Sequence, residues 1–382
     1  NESLRKKKQN IFFKNNSFNI EHSAKLLDSI RNLALFGKKY KINKNLKILH
    51  ITNFNDRFDG RLHYNTGKRI NNGLIRLGYN VSNISDRDVI SQSKNIFDFS
   101  GARKFNEKII NHVNNFRPDL IILGHADNIY QSTISNLKNK FDVRICQWFL
   151  DPLIKSGPDY FKNRNRLKKF SEIIDATFVT THPSALDFKI YNSYYLPNPC
   201  DLSFEMLDNS KSDTKKDLFF AMSHGVHRGV LKKGKNDKRE SFLKKLIKIS
   251  NKEIKFDLYG FSNRQPVWGD DFIDVISNSK MGLNLSRGEP LKYYSSDRIA
   301  QLFGNGLLTF LDEKTQLSDL FEKSEAIFYS NISDLAEKIF KYKRDNLKRR
   351  EVARNGKIKY MKYFNSDIVS QYIIDKTFDL KS

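Results

Sequence analysis

Short apolar runs recur along the chain, separated by longer stretches whose apolar residues fall three and four positions apart. LKILHITN from Leu46, DLIILGH after Pro118, VRICQWFL and ATFVTT show no alternation of apolar and polar positions, the pattern of strands buried on both faces. Between them KRINNGLIRLGYNV, KFNEKIINHVNNF, NIYQSTISNLKNKF and RNRLKKFSEII have helical spacing, and the first of these helices stops at Gly78. The alternation pauses at YYLPNPCD, residues 194–201, then restarts through DLFFAMS, a helix from Lys238, KFDLYG, DDFIDVISN, KMGLNLS, LLTFL, AIFYS and SDLAEKIFKYKRD. This predicts an α/β chain of two doubly wound, Rossmann-like halves joined at a Pro-Asn-Pro hinge. In such sheets ligands bind beyond the carboxyl ends of the strands, and here also between the halves.

A chain of 382 residues suits two domains. The expected layout is a basic extension over 1–44, containing the helical stretch HSAKLLDSIRNLALFGKK, then domains over 45–197 and 198–362. No run reaches the ~18 apolar residues of a membrane-spanning helix, and NESLRKKKQN is not followed by a signal-type apolar segment. Cys146 and Cys200 are the only cysteines, so neither a disulfide framework nor a cysteine zinc site is available. These features predict a cytoplasmic protein, or one held peripherally at the inner face of a membrane.

Lys and Arg number 67 against 43 Asp and Glu, a net charge of +24. The cations are scattered over both halves instead of forming one stripe with interleaved aromatics, so no dedicated nucleic-acid partner is expected. A general attraction to phosphates and contact with an anionic membrane remain compatible with the charge.

In SSDRIAQLFGNGLLTFLD, residues 295–312, a polar turn opens a helix that runs through Gly-Asn-Gly into an apolar strand. Ser295, Ser296 or Asp297 is the expected cap. A diphosphate needs fixed donors, and Tyr294, Ser295, Ser296 and Arg298 lie where a helix start would supply them.

The order of WFLDP, TFVTTHPSA, YLPNPCD, KMGLNLSRGEP and SSDRIAQLFGNG resembles GT-B glycosyltransferases, and within them the spore-maturation CgeB-like group. The resemblance is strongest over about residues 140–312. It implies two Rossmann-like domains facing each other across a cleft, with a UDP- or GDP-linked sugar as donor on the second and a saccharide or lipid-linked acceptor on the first. The product would belong to surface glycan biosynthesis. It also implies that residues 363–382 form a helix crossing back to the first domain, that Arg298 contacts the nucleotide, and that position 301 receives the ribose hydroxyls. That position is glutamate in the family and Gln301 here, an acceptor without the charge. Related enzymes place an acidic residue of the loop after KMGLNL on the donor sugar, which points to Glu289, with Arg287 beside it at the cleft. They place an Arg and a Lys after the first strand of the second half on the diphosphate, which points to Arg228 with Lys232 or Lys233.

For catalysis His63, His125, Asp151 and His182 all fall at strand carboxyl ends or in the loops that follow. Asp151, at the family-like position, leads, followed by His125 and His182; an inverting mechanism would use one of them to take the acceptor proton. No obligatory cofactor or metal is expected. His224 and His227 lack partner ligands at metal spacing, and the DxD of Asp86 and Asp88 belongs to a different transferase architecture. The rival readings are a non-hydrolysing sugar-nucleotide epimerase, which shares the fold, and a non-catalytic polyanion or nucleic-acid binder on a decayed transferase. A dehydrogenase is excluded by NFNDRFDG after the first strand, which is not G-x-G-x-x-G, and the Walker spacing is absent after DLFFAMS.

Overall fold

The computed structural model describes residues 46–155, 157, 159–223 and 238–378. The expected helix before residue 40 lies outside the described residues, as do Arg228, Lys232, Lys233, His224 and His227.

The first domain is built on β1 (Lys47–Thr52), β2 (Asn80–Ser85), β3 (Leu120–Gly124), β4 (Arg144–Phe149), β5 (Ala176–Val179) and β6 (Ser193–Tyr195). All neighbours are parallel, in the order β2-β1-β3-β4-β5-β6. Its helices are α1 (Thr66–Arg76), α2 (Asp86–Ser93), α3 (Ala102–Phe116), α4 (Gln131–Lys140) and α5 (Tyr160–Ser171). The second sheet repeats the winding. It comprises β7 (Lys216–Ala221), β8 (Phe256–Tyr259), β9 (Ser279–Asn284), β10 (Leu308–Asp312) and β11 (Ile327–Tyr329), in the order β8-β7-β9-β10-β11 and again parallel. Around it stand α6 (Lys238–Ile249), α7 (Gly269–Ser277), α8 (Arg298–Gly304), α9 (Ile332–Arg344) and α10 (Asn346–Tyr363), followed by α11 (Ser366–Phe378). The winding reverses between β1 and β3 and again between β7 and β9, which is where α/β sheets open a crevice for ligands.

Both faces of the central strands are buried, which is why they lack alternation. Leu49, Ile51, Ile121, Leu123 and Ile145 pack on Phe105, Ile109 and Val113 of α3 and Ile134 and Leu137 of α4. The opposite face, with Ile48, Leu120, Ile122, Cys146 and Phe178, packs on Ile70 and Leu74 of α1 and on Val369, Tyr372 and Ile373 of α11. Ser370 of α11 also donates from Oγ to the Ile70 carbonyl at 2.9 Å. This core continues through Tyr195, Leu196 and Cys200 to Phe303 of α8 and Tyr360 of α10, so the domains share an apolar base beneath the cleft.

The Pro-Asn-Pro crossing is buried and pinned. Asn198 donates to the Ser295 carbonyl at 2.9 Å and its own carbonyl accepts from the Tyr360 hydroxyl at 2.7 Å. Cys200 N donates to Phe364 O at 2.9 Å, and Ser366 N to Cys200 O at 2.7 Å. The chain thus passes between the domains as a hydrogen-bonded pair of strands of backbone.

Candidate active site

The carboxyl ends of both sheets face one interdomain cavity of about 480 Å³. The β1–α1 loop contributes Asn55, Arg61 and Tyr64 to its lining, and the segment after β4 contributes Asp151 and Pro152. Opposite them stand Ala221–Ser223 after β7, Arg239 at the start of α6, Trp268 and Phe272 around the start of α7, Arg287 after β9, and the Tyr294–Gln301 region.

Local sequence fixes the first wall. Asn65 caps α1, its Oδ1 accepting from Lys68 N at 3.0 Å, while its amide donates to the Leu62 carbonyl at 2.9 Å. Asp88 accepts from the Asp56 amide at 2.7 Å, from Arg57 Nη1 at 2.5 Å and from the Ser85 hydroxyl. These donors outweigh burial and hold its carboxyl below the usual carboxylate range. The second carboxylate of the DxD therefore shapes the loop at the cleft mouth. Burial pushes its companion Asp86, at the start of α2, up to about 6.

Asp151 is half exposed on the cleft. Its Oδ2 lies 3.8 Å from His125 Nδ1 and 4.0 Å from Arg166 Nη1. Arg166 in turn approaches His125 Nδ1 at 3.1 Å and donates to Asp127 at 2.5 Å. His125 stacks on Phe149 with centroids 4.6 Å apart, and its backbone is left-handed, with φ at 53°. Burial lowers its pKa despite Asp151 nearby, so the imidazole is neutral at pH 7. It lies behind Asp151, outside the cavity lining. A neutral ring locked by stacking and by a guanidinium is suited to fixing the carboxylate's position.

Arg298 lines the cavity but is only 8% exposed, and it spends donors on the fold. Its Nη2 and Nε reach the Ala221 carbonyl at 2.8 and 3.1 Å, and Nη1 reaches the Leu285 carbonyl at 3.0 Å and Ser296 Oγ at 3.1 Å. The guanidinium also stands 4.5 Å from the Phe220 ring centroid. It ties the ends of β7 and β9 together at the switch point. Arg298→Ala is therefore expected to cost stability as well as any ligand contact, about 1.5–3 kcal/mol for hydrogen bonds to a charged donor. Arg298→Lys should recover little, because an ammonium cannot reproduce the planar fork. Chemical denaturation of the two variants measures both.

The structure brings Asp151, Arg287, Tyr294, Ser296, Arg298 and Gln301 around one cavity. Among the described residues that sequence reasoning singled out, His63, His125, His182, Glu289 and Ser295 are not part of that cavity's lining. Ser295 is buried, its hydroxyl oxygen 2.9 Å from the Ser296 carbonyl and 3.2 Å from Asn284 Oδ1. Glu289 is exposed and faces Lys238 Nζ at 3.6 Å. His182 caps the short turn Pro183–Ala185, accepting from Ser184 N at 3.3 Å, and meets the Tyr293 ring edge-on at 5.3 Å. Asp297 precedes α8 but makes no side-chain capping bond; Ser296 Oγ bonds Arg298 instead. Arg61, Tyr64, Arg239, Trp268 and Phe272 were not anticipated. The visible signal for Trp268 was an aromatic between Pro266 and Gly269, in the loop that follows KFDLYG. Contacts across the cleft include Tyr64, which donates to Asp270 at 2.5 Å, and Arg287, which stands 4.0 Å from Asp159. Among the described residues no three His, Cys, Asp or Glu side chains come together as a metal-ligand set.

A glycosyl transferase-like family model matches residues 238–375, most of the second domain. No curated protein matches the chain by sequence. Among solved structures, sucrose-phosphate synthase from Thermosynechococcus elongatus is 12% identical with a TM-score of 0.60, covering 88% of this chain and 99% of its own. HepE of Anabaena in complex with UDP and glucose is 10% identical with a TM-score of 0.53, covering 88% of this chain and 100% of its own. A glycosyltransferase from Rickettsia africae is 11% identical with a TM-score of 0.52, covering 89% and 99%. The architecture is the GT-B fold, as the sequence resemblance implied.

Proposed function

We propose that this protein transfers a sugar from a nucleoside-diphosphate donor to a saccharide or lipid-linked acceptor, in surface glycan synthesis. The observation that carries the reading is a set of three guanidinium groups, Arg239, Arg287 and Arg298, on the second-domain wall of one interdomain cavity, a wall that also holds Val267, Trp268 and Phe272. Such a cavity offers charge for a diphosphate and an apolar shelf for a base, while Gln301 faces it with an amide suited to ribose hydroxyls. The HepE structures hold UDP with glucose and UDP-glucose, which supports a uridine donor. The second domain then binds the donor and the first presents the acceptor to Asp151. Three arginines supply the positive charge that a divalent cation otherwise brings to a departing diphosphate, so transfer is metal-independent.

Thermal shift tests this directly. UDP or GDP at about 100 times its Kd should stabilise the protein by about 2.7 kcal/mol without divalent metal. A panel of nucleoside diphosphates that leaves Tm unmoved, with and without magnesium, would refute donor binding. Arg298→Ala should weaken the affinity measured by calorimetry by about ten- to a hundredfold, the effect of one charge-assisted phosphate contact.

A further inference from the structure

The loop between α2 and α3 holds three apolar side chains in water: Ile96 is 73% exposed, Phe97 82% and Phe99 81%. Clustered exposure of this kind marks an interaction site more often than a scattered surface residue does. The loop is also firmly built. Asn95 Oδ1 accepts from Phe97 N at 2.8 Å and Asp98 N at 3.0 Å, and the backbones of Asn95 and Asp98 pair in both directions at 3.2 Å. Asp98 is buried, accepting from Ser100 Oγ at 2.9 Å and from Lys104 N at 3.2 Å. Gly101 closes the turn with φ at 70°, where a Cβ would run into the Ile90 carbonyl. The loop's one carboxylate thus faces inward, while Lys94, Arg103 and Lys104 are exposed beside the apolar tip.

The loop stands on the same edge of the sheet as the cleft. Asn106, in the second turn of α3, donates to Asn128 O at 2.9 Å and accepts from Tyr130 N at 2.8 Å, both just past the carboxyl end of β3. A surface hollow lined by Ser91 of α2 and by Arg57, Phe58 and Arg61 connects this side to the cleft, since Arg61 lines both.

We propose that Ile96, Phe97 and Phe99 form a wedge that inserts into the headgroup layer of an anionic membrane, and so hold the cleft over a lipid-borne acceptor. Three exposed apolar side chains, with Lys94, Arg103 and Lys104 exposed in and next to the same loop, suit a deformable interface, where apolar insertion and attraction to anionic lipid act together. A protein partner would need a pocket to receive the tip, and duplex nucleic acid would gain nothing from the phenylalanines. The wedge deepens the transferase reading by naming where its acceptor comes from, but vesicle binding is measurable without donor or acceptor.

The full chain should co-sediment with phosphatidylcholine vesicles containing phosphatidylglycerol, and far less with phosphatidylcholine alone. Phe97→Ser/Phe99→Ser should weaken that binding at least about tenfold, because two large apolar side chains leave the interface. UDP affinity measured in the same preparation reports on the transferase reading separately, and should be unchanged. In a Phe97→Trp variant, brominated acyl chains should quench indole fluorescence beyond the level of the unsubstituted protein. Vesicle binding that survives the double substitution overturns the wedge, as does a Phe97→Trp variant quenched by brominated lipid no more than the unsubstituted protein. So does a wild-type chain that ignores anionic vesicles and instead self-associates through these residues.

Discussion

Glu205→Ala is expected to destabilise the protein by about 3–5 kcal/mol, the cost of leaving a buried cation unpaired. Arg69 of α1 and Glu205, just past the Pro-Asn-Pro crossing, are 1% and 4% exposed and meet at 2.5 Å from Nη2 to Oε1, with Nε 3.2 Å from the same oxygen. Glu205 Oε2 also accepts from the Asp201 amide at 2.6 Å, and Arg69 Nη1 donates to the Tyr64 carbonyl at 3.3 Å. One pair therefore locks α1, the crossing and the loop carrying Tyr64. A Cβ at Gly304, the end of α8, would collide with the Glu205 side chain, so α8 rests on it too. Replacing both charges, Arg69→Met/Glu205→Leu, should recover most of the loss, because no unpaired charge then remains. Urea denaturation distinguishes the cases. If Glu205→Ala is as stable as the wild type, the pair contributes nothing net.

Asp151→Asn is expected to lower the turnover number for sugar transfer by about 10²–10³, with donor affinity unchanged. Removal of a positioned general base, the role proposed for Asp151, costs that much, and an amide of the same shape keeps the packing against Pro152 and His125. Measuring kcat and UDP affinity together separates this from a binding defect. His125→Gln should act through Asp151, lowering kcat less than Asp151→Asn does. Full turnover in Asp151→Asn would give proton removal to another group, the donor's own phosphate being the candidate in a retaining reaction.

Most of the sheet strands were legible because continuous apolar runs leave few alternatives, and two sets of them in the same order implied two similar domains, whereas β6 runs into YYLPNPCD, which reads as a pause. The strand-end residues followed from that: Asp151 after β4, Arg287 after β9, and Arg298 with Gln301 after the polar turn converge on one cavity. Arg239 could not be told from the cations around it, because KNDKRE gives no local reason to prefer one. Arg61 and Tyr64 depend on a loop whose course is set by Asp88, some 30 residues away. The Arg69–Glu205 pair joins residues 136 apart, beyond any periodicity. Two helices were missed for separate reasons. α2 begins without a break after β2 in the polar stretch SDRDVISQS. α10 buries Arg349, Gly356 and two tyrosines, so its inner face does not read as apolar. The place of Arg298 beside the cavity was legible, but its bonds to two strand-end carbonyls were not.

The seat of α11 on α1 and on the first sheet bears on how the protein is made. Ile373, Tyr372 and Val369 close a core whose other members, Ile70, Leu74 and Leu120, leave the ribosome some 250 to 300 residues earlier. Throughout synthesis of the second domain the first must carry that apolar face uncovered, stable enough to hold its shape but incomplete. Its final consolidation waits for a helix encoded downstream of the other domain. The nascent first domain is consequently a natural client for a holdase during elongation, and a stop codon before residue 366 should release a protein whose first domain aggregates, although its own strands are all present.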